Sequence, residues 1–365
     1  MKVHVPKNTL ADTLAHVERI IPSRSSNPGL SLLRIETRED GIELSGSNMD
    51  VDIRARFPAD VQGKGSYAVP AHVFSQVVRA LPDDLVEMEF GEKELDLASG
   101  TFATKLQLMA PSSAPDLVFP GDYAGSLDGA QLVKALGSVR YAAAVADYQA
   151  VFRGVKLELG PSATRAVATD GFRLAYYHLE VPSGLEGDLV VPGRSVDELT
   201  RIVQEGEVQL GVSEGQLSVR SAGFSLNLKL MEGTFPDYER IIPKAFPVSI
   251  TLDASTLAEA VSRVALMADK TANNRVDLFV RDGVVQITAE GSYGRSQESI
   301  DVLQEGSDPE IALAYNAKYL VDALGPASGD VRLSFSGGGA SSAPSVLADL
   351  GDPSYLAMVV PLRTG

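Results

Sequence analysis

The sequence predicts an α+β chain built of three tandem copies of one domain, each with two helices and antiparallel sheets. Length, a recurring helical stripe and the alternating segments between the stripes carry that prediction. At 365 residues the chain exceeds what one hydrophobic core usually supports. Thirds of roughly 120 residues fall near the common domain size. The expected domains are 1–121, 122–245 and 246–365.

The first helix of each copy is written as an apolar stripe. Leu10, Leu14, Val17 and Ile21 open the pattern, Leu132, Leu136 and Val139 repeat it, and Leu257, Val261 and Val264 repeat it again. Self-similarity at a period of about 120 residues marks a repeated unit, and this spacing lays one apolar face along a helix. Polar residues stand as N-cap candidates: Asn8 or Thr9, then Asp128, then Asp253 or Ser255. A second helix recurs around Val77 and Leu81, Leu199 and Val203, and Leu320 and Leu324. Two of its entrances, Val69-Pro70 and Val191-Pro192, use proline, whose missing N–H would be unpaired there in any case; the third reads Ala314-Tyr-Asn316.

Between the helices lie segments of period-2 alternation bounded by Gly, Asp and Asn. They include Gly41–Ser45, Met49–Phe57, Val155–Leu159, Val208–Val212, Gln216–Arg220, Val276–Val280 and Val284–Ala289. These read as antiparallel strands and hairpins. The turn-rich Pro120–Tyr123 and Pro243–Pro247 mark the junctions. Three like domains joined head to tail form an arc, and an end-to-end contact closes a ring if the rotation allows it. The pattern is compatible with either.

Composition narrows the function classes. Apolar residues make up 44% and charged residues 22%, as in packed globular protein. Cysteine is absent, which excludes disulfides, thiolate metal sites and thiol nucleophiles. The polar start Met1–Asn8 lacks a signal-like apolar stretch, and nothing later reaches the length of a membrane span, so the sequence predicts a cytoplasmic protein. The formal charge of −16 argues against a conventional nucleic-acid surface, which depends on Lys and Arg displacing condensed counterions.

Catalytic chemistry finds no foothold. The four histidines, His4, His16, His72 and His178, have no metal-ligand spacing, and no cofactor is expected. Gly337–Ser342 lacks the Lys and Ser/Thr of a phosphate loop, so a hairpin loop is the expectation. Asp83 and Asp84 follow Pro82 in a turn, and Asp170 has no base or nucleophile beside it in any recognisable motif. Arg79, Lys134, Arg140, Arg201, Arg263 and Lys318 on the helices are interleaved with Asp and Glu. Such faces are either merely solvated or reach phosphate through water.

Three segments carry a family resemblance: Ala168-Thr-Asp-Gly-Phe-Arg-Leu-Ala175, Phe235-Pro-Asp-Tyr-Glu-Arg-Ile-Ile-Pro243 and Val359-Val-Pro-Leu-Arg363. In this order, on a triple repeat, the whole chain resembles the bacterial DNA polymerase III β-subunit family, the sliding clamps. The resemblance implies DNA-clamp domains in a ring-forming head-to-tail homodimer, with helices lining a hole for double-stranded DNA. It also implies a non-catalytic role in DNA replication. The partners would be the replicative polymerase α subunit, the clamp loader and other proteins carrying a clamp-binding motif, at a peptide pocket between the second and third domains.

By the same resemblance the pocket comprises Phe152, Gly154, Thr169, Gly171, Phe172, Arg173, Leu174, Pro236, Arg240 and Ile241. The third domain adds Asn316, Tyr319, Met358, Val360, Pro361, Leu362 and Arg363. Apolar walls would bury peptide anchors while Arg and Asn meet backbone polar groups. For DNA, the resemblance nominates Arg24 in the loop Pro22–Asn27, and Arg194 where a lysine is usual. Elsewhere the chain departs from the family: His72 stands where arginine can follow Val-Pro-Ala, and Ala146, Ala150 and Val151 replace a glutamine and paired tyrosines. Tyr148 and Gln149 lie nearby as substitutes. The alternative function is an arc-shaped peptide-binding scaffold that does not enclose DNA.

Overall fold

A computed structural model of the chain describes residues 1–363 apart from 83, 146–149, 214, 308–309 and 337–342. The expected glycine-rich loop at 337–342 lies outside the described residues. Contacts divide the chain into two compact units, Met1–Ala130 with Asp197–Leu230, and Gln131–Val196 with Met231–Gly365. These units interleave the expected thirds because sheets run on through the repeat junctions.

In the first unit a five-stranded antiparallel sheet runs in the order Asp60–Gln62, Lys2–Pro6, Leu85–Phe90, Glu94–Ser99, Phe102–Gln107. An eight-stranded sheet follows the order Gly125–Asp128, Glu207–Ser213, Gln216–Ser221, Phe224–Lys229, Val51–Phe57, Gly41–Ser47, Leu32–Arg38, Gly65–Pro70. At its centre Phe224–Lys229 pairs antiparallel with Val51–Phe57, Leu226 facing Ile53, so strands far apart in sequence make one continuous ladder.

The second unit repeats the device. Its nine-stranded sheet runs Gly187–Pro192, Gly154–Leu159, Thr164–Thr169, Arg173–Leu179, Tyr355–Val359, Ser345–Asp349, Asp330–Phe335, Val248–Asp253, Leu303–Gly306. The joining pair is Arg173–Leu179 with Tyr355–Val359, Ala175 opposite Ala357. A four-stranded sheet, Gly294–Asp301, Val284–Gly291, Arg275–Arg281, Glu310–Asn316, completes it.

Six α-helices occur among the described residues: α1 Lys7–Ile20, α2 Ala71–Ala80, α3 Gly129–Arg140, α4 Gly193–Ile202, α5 Ala254–Val264 and α6 Ala317–Leu324. The three predicted stripes are buried: Leu10, Leu14 and Val17 on α1, Leu132, Leu136 and Val139 on α3, and Leu257, Val261 and Val264 on α5. None of the six is long and apolar enough to cross a membrane. On α2 Phe74 and Val78 are buried and Val77 only half-buried, a shift of one position from the expectation, while the expected Leu81 is buried at the C-cap just past the helix.

The caps differ more. Asp253 caps α5 by accepting from the Thr256 amide, as predicted, whereas Asn8 and Thr9 lie inside the first turn of α1. Pro6 holds the extended entry there, and the first orphan amide, of Lys7, is met by the Asp84 carbonyl at 2.7 Å. A backbone acceptor brought by tertiary structure thus replaces the side-chain cap.

Leu257→Ala, which empties a fully buried position on α5, should lower stability by about 3 kcal/mol. A shift in the urea midpoint with an unchanged slope would register it; no shift would mean the stripe is not a core element.

Candidate functional site

The expected pocket residues all belong to the second unit, and strand register assembles their floor. Leu174 faces Met358 and Arg173 faces Val359 across the joining pair. Phe152, from the 3-10 helix Ala150–Arg153, joins Leu174 and Met358 in one buried cluster with Val151, Val167, Val190, Val346, Phe235 and Tyr238. Gly154 is required by closeness, because a Cβ there would stand 2.5 Å from Val190 and 2.8 Å from Met231.

The turn between Thr164–Thr169 and Arg173–Leu179 is built by its own side chains. Asp170 Oδ1 accepts from the amides of Phe172 at 2.9 Å and Arg173 at 3.0 Å. Thr169 Oγ1 donates to the Arg173 carbonyl at 2.7 Å and accepts from the Gly171 amide at 3.1 Å. Gly171 supplies the positive φ of 88° that the turn needs. Phe172 is left 61% exposed, an aromatic rim beside the floor.

The C-terminal segment is seated on this turn. The Val360 amide donates to the Phe172 carbonyl at 2.9 Å, and the Leu362 amide to the Ala314 carbonyl at 2.7 Å, two residues from Asn316. Asn316 itself caps α6, accepting from the Lys318 amide at 3.0 Å. Pro361 is buried, and Arg363 is exposed at the end of the segment.

Arg173 has a role different from the one its residue type suggests. Its side chain is only 7% exposed, donates to Asp170 at 3.0 Å and to Asp322 of α6 at 2.5 Å, and lies over the Tyr319 ring at 4.4 Å. The guanidinium is spent on holding the turn against α6. That leaves it little capacity for a peptide.

The third wall comes from the linker carrying Pro236, Arg240 and Ile241, all exposed. Tyr238 anchors it: the ring is buried in the cluster and the hydroxyl donates to Glu158 at 3.0 Å. Burial, and then the Glu158 charge, push the Tyr238 phenol far above its ordinary value, so it remains a donor. Glu158 also pairs with Lys156 at 2.7 Å and Arg165 at 3.6 Å, and Arg165 reaches Glu239 at 3.1 Å. Arg240 pairs with Asp237 at 2.7 Å. The sequence reading missed Glu158, Arg165 and Asp322, which lie far from the linker or turn they hold. Only Tyr238 had a signal, its place in the quoted segment.

An apolar floor with an exposed aromatic and aliphatic rim suits the anchors of an extended peptide. Among the described residues no group of three or more His, Asp or Glu is placed to hold a metal ion.

The residues expected at DNA fare unevenly. Arg24 and Arg194 are exposed, with no ion-pair partner among the described residues. His72 is exposed on α2, but its Nδ1 lies 2.8 Å from Glu18 and its Nε2 3.0 Å from the Gln76 amide nitrogen. Val151 is 9% exposed and packs in the pocket cluster, a place from which it meets no phosphate; the apolar side chain has been drawn into the core. Ala150 is exposed, while Ala146, Tyr148 and Gln149 lie outside the described residues.

Comparison with known proteins agrees along the chain. Family models of the DNA polymerase III beta subunit match in order: N-terminal domain over residues 1–117, central domain over 126–237, C-terminal domain over 239–363. A beta sliding clamp from Lactococcus lactis is 30% identical over 343 residues, 89% of each chain. One from Caulobacter vibrioides is 29% identical over 379 residues, covering both chains fully. The crystal structure of a sliding clamp from Pseudomonas aeruginosa bound to griselimycin is 25% identical with a TM-score of 0.92, again over the full length of both. That of the Bacillus subtilis clamp, 24% identical, shares the fold with a TM-score of 0.93 over the full length of both chains.

Tyr238→Phe removes one hydroxyl and should loosen the linker without disturbing the cluster, at a cost of about 1–2 kcal/mol. Amide exchange across residues 236–243 should quicken while the joining strands stay protected. Uniform exchange across both would refute the anchoring role.

Proposed function

The chain belongs to the DNA polymerase III beta subunit family, and we propose that it works as a sliding clamp, a head-to-tail homodimer that encircles duplex DNA. Membership makes it a non-catalytic accessory subunit in DNA replication. Under this reading it tethers the replicative polymerase, the clamp loader and other motif-bearing partners, in the cytoplasm, through the pocket of the second unit. Tethering raises the local concentration of polymerase at the primer terminus by making the encounter effectively intramolecular.

The observation that carries the reading is the seating of the C-terminal segment on the Phe172 turn over a floor of Leu174, Met358 and Phe152. Three chain-distant segments converge there and leave an apolar rim open. The domain boundaries 1–121, 122–245 and 246–365 go with it, since each of these thirds holds two helices.

Dimerisation follows from the strand pairing. In each joint the last strand of one hairpin series pairs with the last strand of another: Val51–Phe57 with Phe224–Lys229, and Arg173–Leu179 with Tyr355–Val359. By the same count Gly294–Asp301 and Phe102–Gln107 are the corresponding strands left over, each at a sheet edge with no strand on its outer side among the described residues. A second copy supplies both partners, head to tail. A closed ring is held by topology, so the charge of −16 is no obstacle to a DNA partner. Arg24 and Arg194 are exposed cations available for phosphate.

Two experiments test the reading. Protein loaded on a nicked circular plasmid should be retained, and linearising the plasmid should release it; equal retention on both forms would leave the scaffold that does not enclose DNA. Truncation before Val360 should abolish binding of a polymerase clamp-binding peptide while the dimer persists in sedimentation. Unchanged peptide affinity would overturn the pocket assignment.

A further inference from the structure

We infer that Glu18, Glu198 and Glu298, together with Glu259, offset the charge of Arg19, Arg79, Arg201 and Arg263, so that the salt-dependent hold on duplex DNA rests on Arg24 and Arg194. The inference rests on the sliding-clamp reading, under which the helix faces look onto the duplex.

The six cations that the sequence marks on the helices already have protein partners. Glu18 of α1 sits 2.5 Å from Arg79 and 2.8 Å from His72, both of α2, and accepts from Ser75 at 2.6 Å. Glu198 of α4 pairs with both Arg19 at 3.3 Å and Arg201 at 2.9 Å. Arg263 of α5 lies between Glu298 at 2.7 Å and Glu259 at 3.3 Å. Lys134 meets Asp352 at 2.5 Å, Lys318 meets Asp322 at 2.8 Å, and Arg140 donates to the Gly193 carbonyl at 2.9 Å.

Glu18, Glu198 and Glu298 share a layering, the carboxylate sunk and its cation outward, while Glu259 is itself exposed. Side-chain exposure is 15% for Glu18 against 53% for Arg79, and 30% for Glu298 against 55% for Arg263. Taken together the four arginines and four glutamates have no net charge, and the field of such a set falls off faster than that of a free cation. A phosphate meeting it displaces few counterions, because the carboxylate has already replaced them. An arginine that left its carboxylate for a phosphate would strand a half-buried anion facing a polyanion. Arg24 and Arg194 carry no such counterweight.

The test measures affinity of the full-length protein for a fluorescent linear duplex as potassium chloride is raised. With Arg24 and Arg194 as the two cations of each chain assigned to the duplex, the wild-type slope of log K against log salt should be no steeper than about −4 per dimer. E18Q/E198Q/E298Q should bind roughly tenfold tighter at low salt, with a slope steeper by about 2 or more. A control with the same charge removed elsewhere, E92Q/D122N/E186Q, should track the wild type. The paired change E18Q/R79Q, which deletes cation and counterweight together, should also match the wild type, while Arg24→Ala flattens the slope.

If the triple variant tracks its control, or E18Q/R79Q weakens binding as Arg24→Ala does, the inference is overturned. The plasmid assay keeps the two readings apart. Loss of circle-specific retention in the wild type sinks the clamp reading, whereas retention alongside an unresponsive triple variant sinks only this one.

Discussion

The structure depends on one kind of contact, an antiparallel backbone ladder between strands that lie far apart in sequence. Leu226 facing Ile53 and Ala175 facing Ala357 mark the two places, among the described residues, where it joins one repeat to the next. A ladder of this kind has a fixed register wherever one face is buried, since a slip of one residue would turn every side chain to the wrong side. Flexible tethers would have left the repeats free to reorient. Here the backbone itself sets how one repeat follows another.

The candidate site is a consequence of that register. Pairing Arg173–Leu179 with Tyr355–Val359 brings Leu174 opposite Met358, and the chain continuing past Val359 has then only to bond to the Phe172 carbonyl to lie across the turn. Arg173, at the start of the same strand, is positioned to reach Asp322 of α6. One ladder thus fixes floor, rim and back wall. The linker is the exception and needs its own anchor, Tyr238 on Glu158.

Much of this was legible in the sequence, for a definable reason. The stripes of α1, α3 and α5 were readable because burial of a helix face imposes a local period, and period survives in a single sequence. What pairs with what did not survive. The cap of α1 was misread because its acceptor, the Asp84 carbonyl, is distant in sequence. Val151 was expected near phosphate and lies in the pocket cluster, and Arg173 was expected to face a ligand and faces two aspartates. The sequence announces a residue's chemistry, but only the fold decides whether that chemistry is already used.

If the candidate site takes partner peptides as proposed, the double hold on Arg173 bears on how they take turns. A turn fixed by Asp170 from within and by Asp322 from α6 is a socket of constant pitch, assembled before anything enters it. The entropic cost of ordering then falls on the incoming tail and not on its receptor. Under the proposed reading, competing tails would meet the same fittings, leaving each tail's own stiffness, tether and abundance to decide between them.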